Sequence, residues 1–224
     1  MRRTKEEAAL TRDAIIDAAL RCFDEHGIAH ATLDGIAAGA GVTKGAIYHH
    51  FNGKGEILHE IRERVSLPLL DTADTTLLAA GPRPALQRIE DFLLGFVHTL
   101  ESDARTRKAL TVMQFKCEYV GDLRAELPGM LRKFDHLREA FEGAYREARR
   151  KGELRAGLAP DLAALETSLF LNGLVRLWLL DGAAHGLRRK ARAAIRAHMG
   201  LRRSDPRARP RAGGRSARAA ARAP

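Results

Sequence analysis

Apolar positions along the 224 residues recur every three or four places, and no run alternates as a surface strand would, which predicts an all-α protein. The first run, ALTRDAIIDAALRCFDEHGI, puts Ile15, Ile16, Ala19, Leu20 and Phe23 on one side and ends on Gly27, suited to a left-handed C-terminal cap. Thr32 is placed to cap a short helix from Leu33 to about Ala40, with Asp34 near its positive end. Gly41 breaks that helix, Thr43 caps a third from Lys44 to His50, and Asn52-Gly53 closes it. A long helix is predicted from about Lys54 to Leu78, with a possible kink at Pro68. Further helices are expected at about Pro84 to Ser102, Thr106 to Tyr119, Leu123 to Lys151, Asp161 to Leu180 and Leu187 to Leu201. Between them lie the turn-rich segments GPRP, EYVGD, KGELRAGLAP and DGAAHG.

The change from short to long helices divides the chain into a head, residues 1–55, and a larger helical domain, 56–201. Residues 202–224, RRSDPRARPRAGGRSARAAARAP, form an Arg-rich low-complexity tail expected to be disordered. The formal net charge of +10 points toward nucleic acid, but the tail carries +7 of it and residues 1–64 sum to −1. Charge alone therefore does not locate a DNA surface. The two cysteines, Cys22 and Cys117, have no paired spacing, which suggests a reducing, cytoplasmic setting. No window reaches 18 uncharged apolar residues, so no membrane partner is expected.

The chemistry concentrates in GVTKGAIYHHFNGKGEIL, residues 41–58. Two short helices about a glycine, behind a longer first helix, suggest a helix-turn-helix. Ala37 is small where the helices would cross, Gly41 can take positive φ, and Ile47 faces back toward Leu33, Ile36, Ala40 and Val42. A third helix entering the major groove of double-stranded DNA would present Thr43, Lys44, Gly45, Tyr48 and His49 to it. Lys54 is a phosphate candidate at the next helix start, and Thr32, Ala46 and His50 complete the expected DNA surface.

TLDGIAAGAGVTKGAIYHHFNGKGEIL resembles the DNA-binding domain of TetR-type transcriptional regulators over roughly residues 11–60. MRRTKEEAALTRDAII, FKCEYVGDL and GLVRLWLL extend the likeness to the AcrR and TtgR type. That resemblance implies a repressor of a multidrug efflux operon, with helices four to seven enclosing a ligand cavity and helices eight and nine forming a dimer bundle. His49 departs from the subgroup's usual Trp or Tyr, and Gly55 replaces a better helix former.

The second domain fits such a sensor. LFLNGLVRLWLL is apolar around nearly its whole circumference, which calls for burial against both a core and a second copy, and a homodimer suits a palindromic operator. Leu110, Gln114 and Cys117 would share one helical face, opposite Phe96, Leu137, Phe141, Ser168 and Asn172, as a chamber for a hydrophobic small-molecule inducer. Those residues serve equally well as ordinary core, and Glu118 and Arg176 as cavity charges or an ion pair.

No Ser-His-Asp set, phosphate loop or HExxH motif is present, so neither an enzyme nor a cofactor is expected. Cys22 and His26 are four apart but lack further ligands for a metal. A TetR-type regulator of a catabolic or lipid-signal operon, sensing a metabolite, remains the alternative. A general DNA-coating protein acting through its arginine tail is a second.

Overall fold

The computed structural model describes residues 5–78, 81–181 and 186–204. Those residues form α1 (Lys5–His30), α2 (Leu33–Ala40), α3 (Lys44–His50), α4 (Lys54–Leu77), α5 (Ala85–Ser102), α6 (Ala104–Phe115), a 3₁₀ segment (Gly121–Glu126), α7 (Leu127–Arg150), α8 (Pro160–Leu180) and α9 (Leu187–Gly200). No strand occurs among them, so the all-α expectation holds; an isolated antiparallel bridge joins Leu154 to Arg203. Gly27 takes φ 75°, which bends the end of α1, and the chain runs on helically to His30. α4 continues through Pro68.

Two cores result. The first gathers Ile15, Ile16, Phe23, Ile36, Ile47, Phe51, Ile57 and Ile61, together with Ala109 and Val112 of α6. The head therefore draws its interior from beyond residue 55, because α4 and α6 both lie against α1. α6 is clipped there in three places. Lys116 donates to the Asp24 carbonyl, the Ile28 N–H donates to the Lys116 carbonyl (3.1 Å), and Arg105 pairs with Asp17 at 2.6 Å. Using Lys116 in this way ends α6 at Phe115, four residues short of the expected Tyr119.

The second core holds Leu77, Ile89, Phe92, Phe141, Tyr145, Trp178, Ile195 and Met199. Within it the Tyr145 hydroxyl lies 2.7 Å from the Thr167 hydroxyl, which meets His198 Nε2 at 3.0 Å. His198 stacks on Phe170 with 4.0 Å between ring centroids, and burial pulls its pKa down to about 4, with Arg202 nearby adding to the effect.

The tail begins later than its composition suggested. Arg202 is buried, donates to the Glu166 carboxylate (2.8 Å) and to the His198 carbonyl, and Ser204 N–H donates to the Glu153 backbone carbonyl (2.7 Å). A guanidinium stem packs against apolar surface while its head finds a carboxylate, which composition alone does not disclose. The remainder of the tail lies outside the described residues. α8 has the length and mean hydropathy (1.3) of a membrane-crossing helix, with 44% of that window buried inside the protein.

Candidate nucleic-acid interface

The local rules that predicted the short helices also orient them. The Thr32 hydroxyl accepts from Gly35 N–H (3.0 Å) and the Thr43 hydroxyl from Ala46 N–H (3.2 Å), so each caps its helix as its side-chain chemistry requires. Gly41 adopts φ 67° and closes the turn, with Val42 N–H bonded to the Ala37 carbonyl at 3.0 Å. Ile36 and Ile47 are fully buried, and Ala37 lies nearly so at the crossing. With one side of α3 fixed in this way, Lys44, Gly45, Tyr48 and His49 are exposed, Tyr48 by 53%.

Arg12 secures the other end of α3, and sequence reasoning missed it because its partners lie far along the chain. Its guanidinium sits 4.2 Å from the Phe51 ring centroid, donates to the His50 carbonyl (3.0 Å) and reaches Glu60 at 2.8 Å. Burial opposes ionisation of Glu60, but the bonds from Arg12 and Arg64 outweigh it and hold the carboxyl below its usual range. His50 is half-buried, and the His49 and His50 rings meet edge-on with centroids 5.6 Å apart.

Two lysine expectations change. Lys44 Nζ lies 2.8 Å from Asp34 Oδ2, and that hydrogen bond raises its pKa. The bond to Asp34 takes one of the three ammonium donors of Lys44, and a base or phosphate there would compete with the carboxylate for the charge. Lys54 Nζ donates to the carbonyls of Ile28 (2.7 Å), Ala29 (3.2 Å) and Ala31 (2.8 Å). Its ammonium terminates α1, because the helix stops at His30 and leaves these last carbonyls without helical donors. Thr32 and Ala46 lie on the capped turns, Thr32 exposed and Ala46 half-buried.

The nine residues expected around an effector separate. Phe96 lines a mainly apolar cleft of about 550 Å³ between α4 and α5, floored by Val65, Pro68, Leu69 and Phe92, with Thr72, Thr76, Thr99 and Thr106 as hydroxyl groups and Arg64, Asp91 and Asp103 as charged ones. Phe141 is fully buried edge-on to Phe92 (5.6 Å), Leu137 is buried in the same core, and Leu110 packs at its margin. The Ser168 hydroxyl is buried and bonded to the Ala164 carbonyl. Cys117 packs against the head core, beyond the end of α6, so it does not share a helical face with Leu110 and Gln114. Asn172 and Arg176 are exposed on the outer side of α8, where Arg176 covers the Phe115 ring (4.7 Å) and approaches the Gln114 carbonyl (3.4 Å). They share that side with Leu162, Leu165, Leu169, Leu177 and Leu180, which are 38–59% exposed. No group of three His, Cys, Asp or Glu able to hold a metal occurs among the described residues.

Comparison with known proteins agrees with this architecture. Residues 15–61 match the family described as bacterial regulatory proteins, tetR family, and residues 84–202 match the C-terminal region of MAATS-type transcriptional repressors. The chain is 35% identical over 183 residues to the HTH-type transcriptional regulator TtgR of Pseudomonas putida, covering 80% of this chain and 85% of that protein. It superposes with a TM-score of 0.78 on NalD, the secondary repressor of the MexAB-OprM multidrug efflux pump in Pseudomonas aeruginosa, at 27% identity over 89% of this chain and 98% of that one. The SmeT–triclosan complex gives a TM-score of 0.76 at 30% identity, covering 88% and 93%; SmeT is the repressor of the Stenotrophomonas maltophilia multidrug efflux pump SmeDEF. With a family match over each half and this relative along most of its length, the chain belongs to the TetR family of DNA-binding transcriptional regulators.

Proposed function

We propose that the protein is a homodimeric repressor of a multidrug efflux operon, acting in the cytoplasm and released from a palindromic operator by a hydrophobic small molecule. The observation that carries this reading is the capped, outward-facing α3 joined through α4 to an apolar cleft. NalD and SmeT, both repressors of efflux pumps, support the operon class, and the triclosan complex of SmeT supports the ligand class. The exposed leucines of α8, Leu162, Leu165, Leu169, Leu177 and Leu180, fall on one side of the helix from its first turn to its last, a face of the kind that a second copy covers.

The mechanism follows from where α4 ends. Its first residue, Lys54, is bonded to the end of α1, while Val65, Pro68, Leu69 and Thr72 line the cleft. A ligand that fits one tilt of α4 better than another shifts the population toward that tilt, and the spacing of the two recognition helices in the dimer changes with it. Only the difference in affinity between the two tilts is transmitted.

Fluorescence anisotropy with labelled DNA from upstream of the protein's own gene tests this, using triclosan as the probe. Expected are saturable binding, its loss in Tyr48→Ala with the dimer retained, and release by triclosan in the wild type. Full operator affinity in Tyr48→Ala would move the DNA surface elsewhere. Calorimetric binding of triclosan without any release would refute the population shift.

A further inference from the structure

A second cleft, of about 490 Å³, lies between α4 and the start of α7, away from the apolar cleft at Phe96. Its lining has the opposite character. Arg62, Arg132 and Lys133 contribute three cations against the two carboxylates Glu63 and Glu126, with His59 and His136 at the edges. Lys133 is spent on Glu63 and His136 on Asp74 (2.9 Å). Arg132 is exposed and lines the cleft without an ion pair among the described residues.

Arg62 is the unusual member. It is 96% buried, and it donates to Glu126 through Nη1 only. Its Nε and Nη2 are closed off from solvent without an acceptor. The groups behind it bring no negative charge. The Tyr119 hydroxyl donates to the Met113 carbonyl (3.2 Å); burial pushes its pKa up to about 12 against the opposing pull of Arg62, and raises that of the Cys117 thiol, so both stay neutral. Burial also opposes ionisation of Glu126, but the bonds from His59 and Arg62 hold its carboxyl below the usual range. One carboxylate already shared with His59 thus serves a guanidinium that can make five hydrogen bonds. Donors buried without acceptors are costly in folded proteins, and an anion is a group that can supply several acceptors at once.

We infer that this cleft binds a small organic or inorganic anion, bearing a carboxylate or phosphate group, between Arg62 and Arg132. The volume suits a metabolite-sized molecule. Leu70, Ala125 and Gly129 give its uncharged part a place to lie. An anion there would tie α4 to α7 from the side opposite the apolar cleft. It would favour one tilt of α4 independently of the hydrophobic inducer, making the regulator responsive to two chemically different signals.

Isothermal calorimetry on the full-length dimer, with benzoate and inorganic phosphate titrated separately at millimolar concentration, tests the site. At least one should bind saturably, and the one that binds identifies the carboxylate or the phosphate as the recognised group. Arg132→Ala, an exposed change that leaves the fold intact, should weaken that binding about tenfold, as expected for loss of one charge-assisted contact. Arg62→Met should weaken it at least as much, while Arg196→Ala on exposed α9 should leave it unchanged. Absence of saturable binding by both anions, or equal binding in wild type and Arg132→Ala, would overturn the inference. Operator binding without anion is measured in parallel: its loss in the wild type would count against the repressor reading, not against this site.

Discussion

Replacing Lys54 by Met separates two roles that a lysine at the start of a DNA-proximal helix could have. Methionine keeps an apolar stem of similar length and removes the ammonium with its three bonds to the carbonyls of Ile28, Ala29 and Ala31. A hydrogen bond to a charged donor contributes about 1.5–3 kcal/mol, and the partial exposure of this site lets water replace part of it, leaving a cost of about 2 kcal/mol. For a chain of this size each kcal/mol shifts Tm by about 2–4 °C, so a fall of about 4–8 °C is expected by calorimetry. A phosphate contact would behave differently. Its loss would reduce the slope of log affinity against log salt by about 0.9 for each contact removed, with little change in Tm. The expected result is therefore a lower Tm with an unchanged salt slope, read by anisotropy at temperatures where the variant is folded. An unchanged Tm together with a shallower slope would refute the capping role and return Lys54 to the DNA.

Thr43→Ala removes the hydroxyl that caps α3 and should cost about 1 kcal/mol, lowering operator affinity together with Tm, whereas Thr43→Ser should retain both. Leu169→Glu on the exposed face of α8 should yield monomers in analytical ultracentrifugation without unfolding the chain, since the side chain is 58% exposed; an intact dimer would place the interface elsewhere. His198, depressed to about 4 in the folded state from 6.5, is neutral there at neutral pH. The unfolded chain takes up its proton first as pH falls, so this group's contribution to stability is present above about 6.5 and is lost as pH falls toward about 4. His198→Gln should flatten the Tm profile across that window, and an equally steep profile would show that other groups set it.

The short helices of the head were legible because their determinants are local. Thr32 and Thr43 cap through bonds to residues three places on, and Gly41 turns by its own backbone, so spacing in the sequence was enough. The same holds for the outward side of α3, which follows once Ile47 is assigned inward. The apolar period of α8 announced burial on more than one side, and the structure supplies the inner one. Arg12 joins groups 38 and 48 positions away, and no local pattern marks it.

Lys54 and Cys117 show why the remainder needed tertiary structure. The sequence placed Lys54 at a helix start beside the DNA-reading segment, and only the packing of the folded chain brings the carbonyls at the end of α1 beneath its ammonium. Cys117 lies at helical spacing from Leu110 and Gln114, but capping of α1 by Lys116 ends α6 first. Asn172 and Arg176 likewise have a side of α8 set by which neighbours pack on it, not by their own period. Periodicity and capping act over three or four residues, so the sequence determined the helices, their short turns and the family to which they belong. Which charge meets which carbonyl, and which faces enclose a cleft, depends on contacts between segments tens of residues apart, which only the folded chain decides.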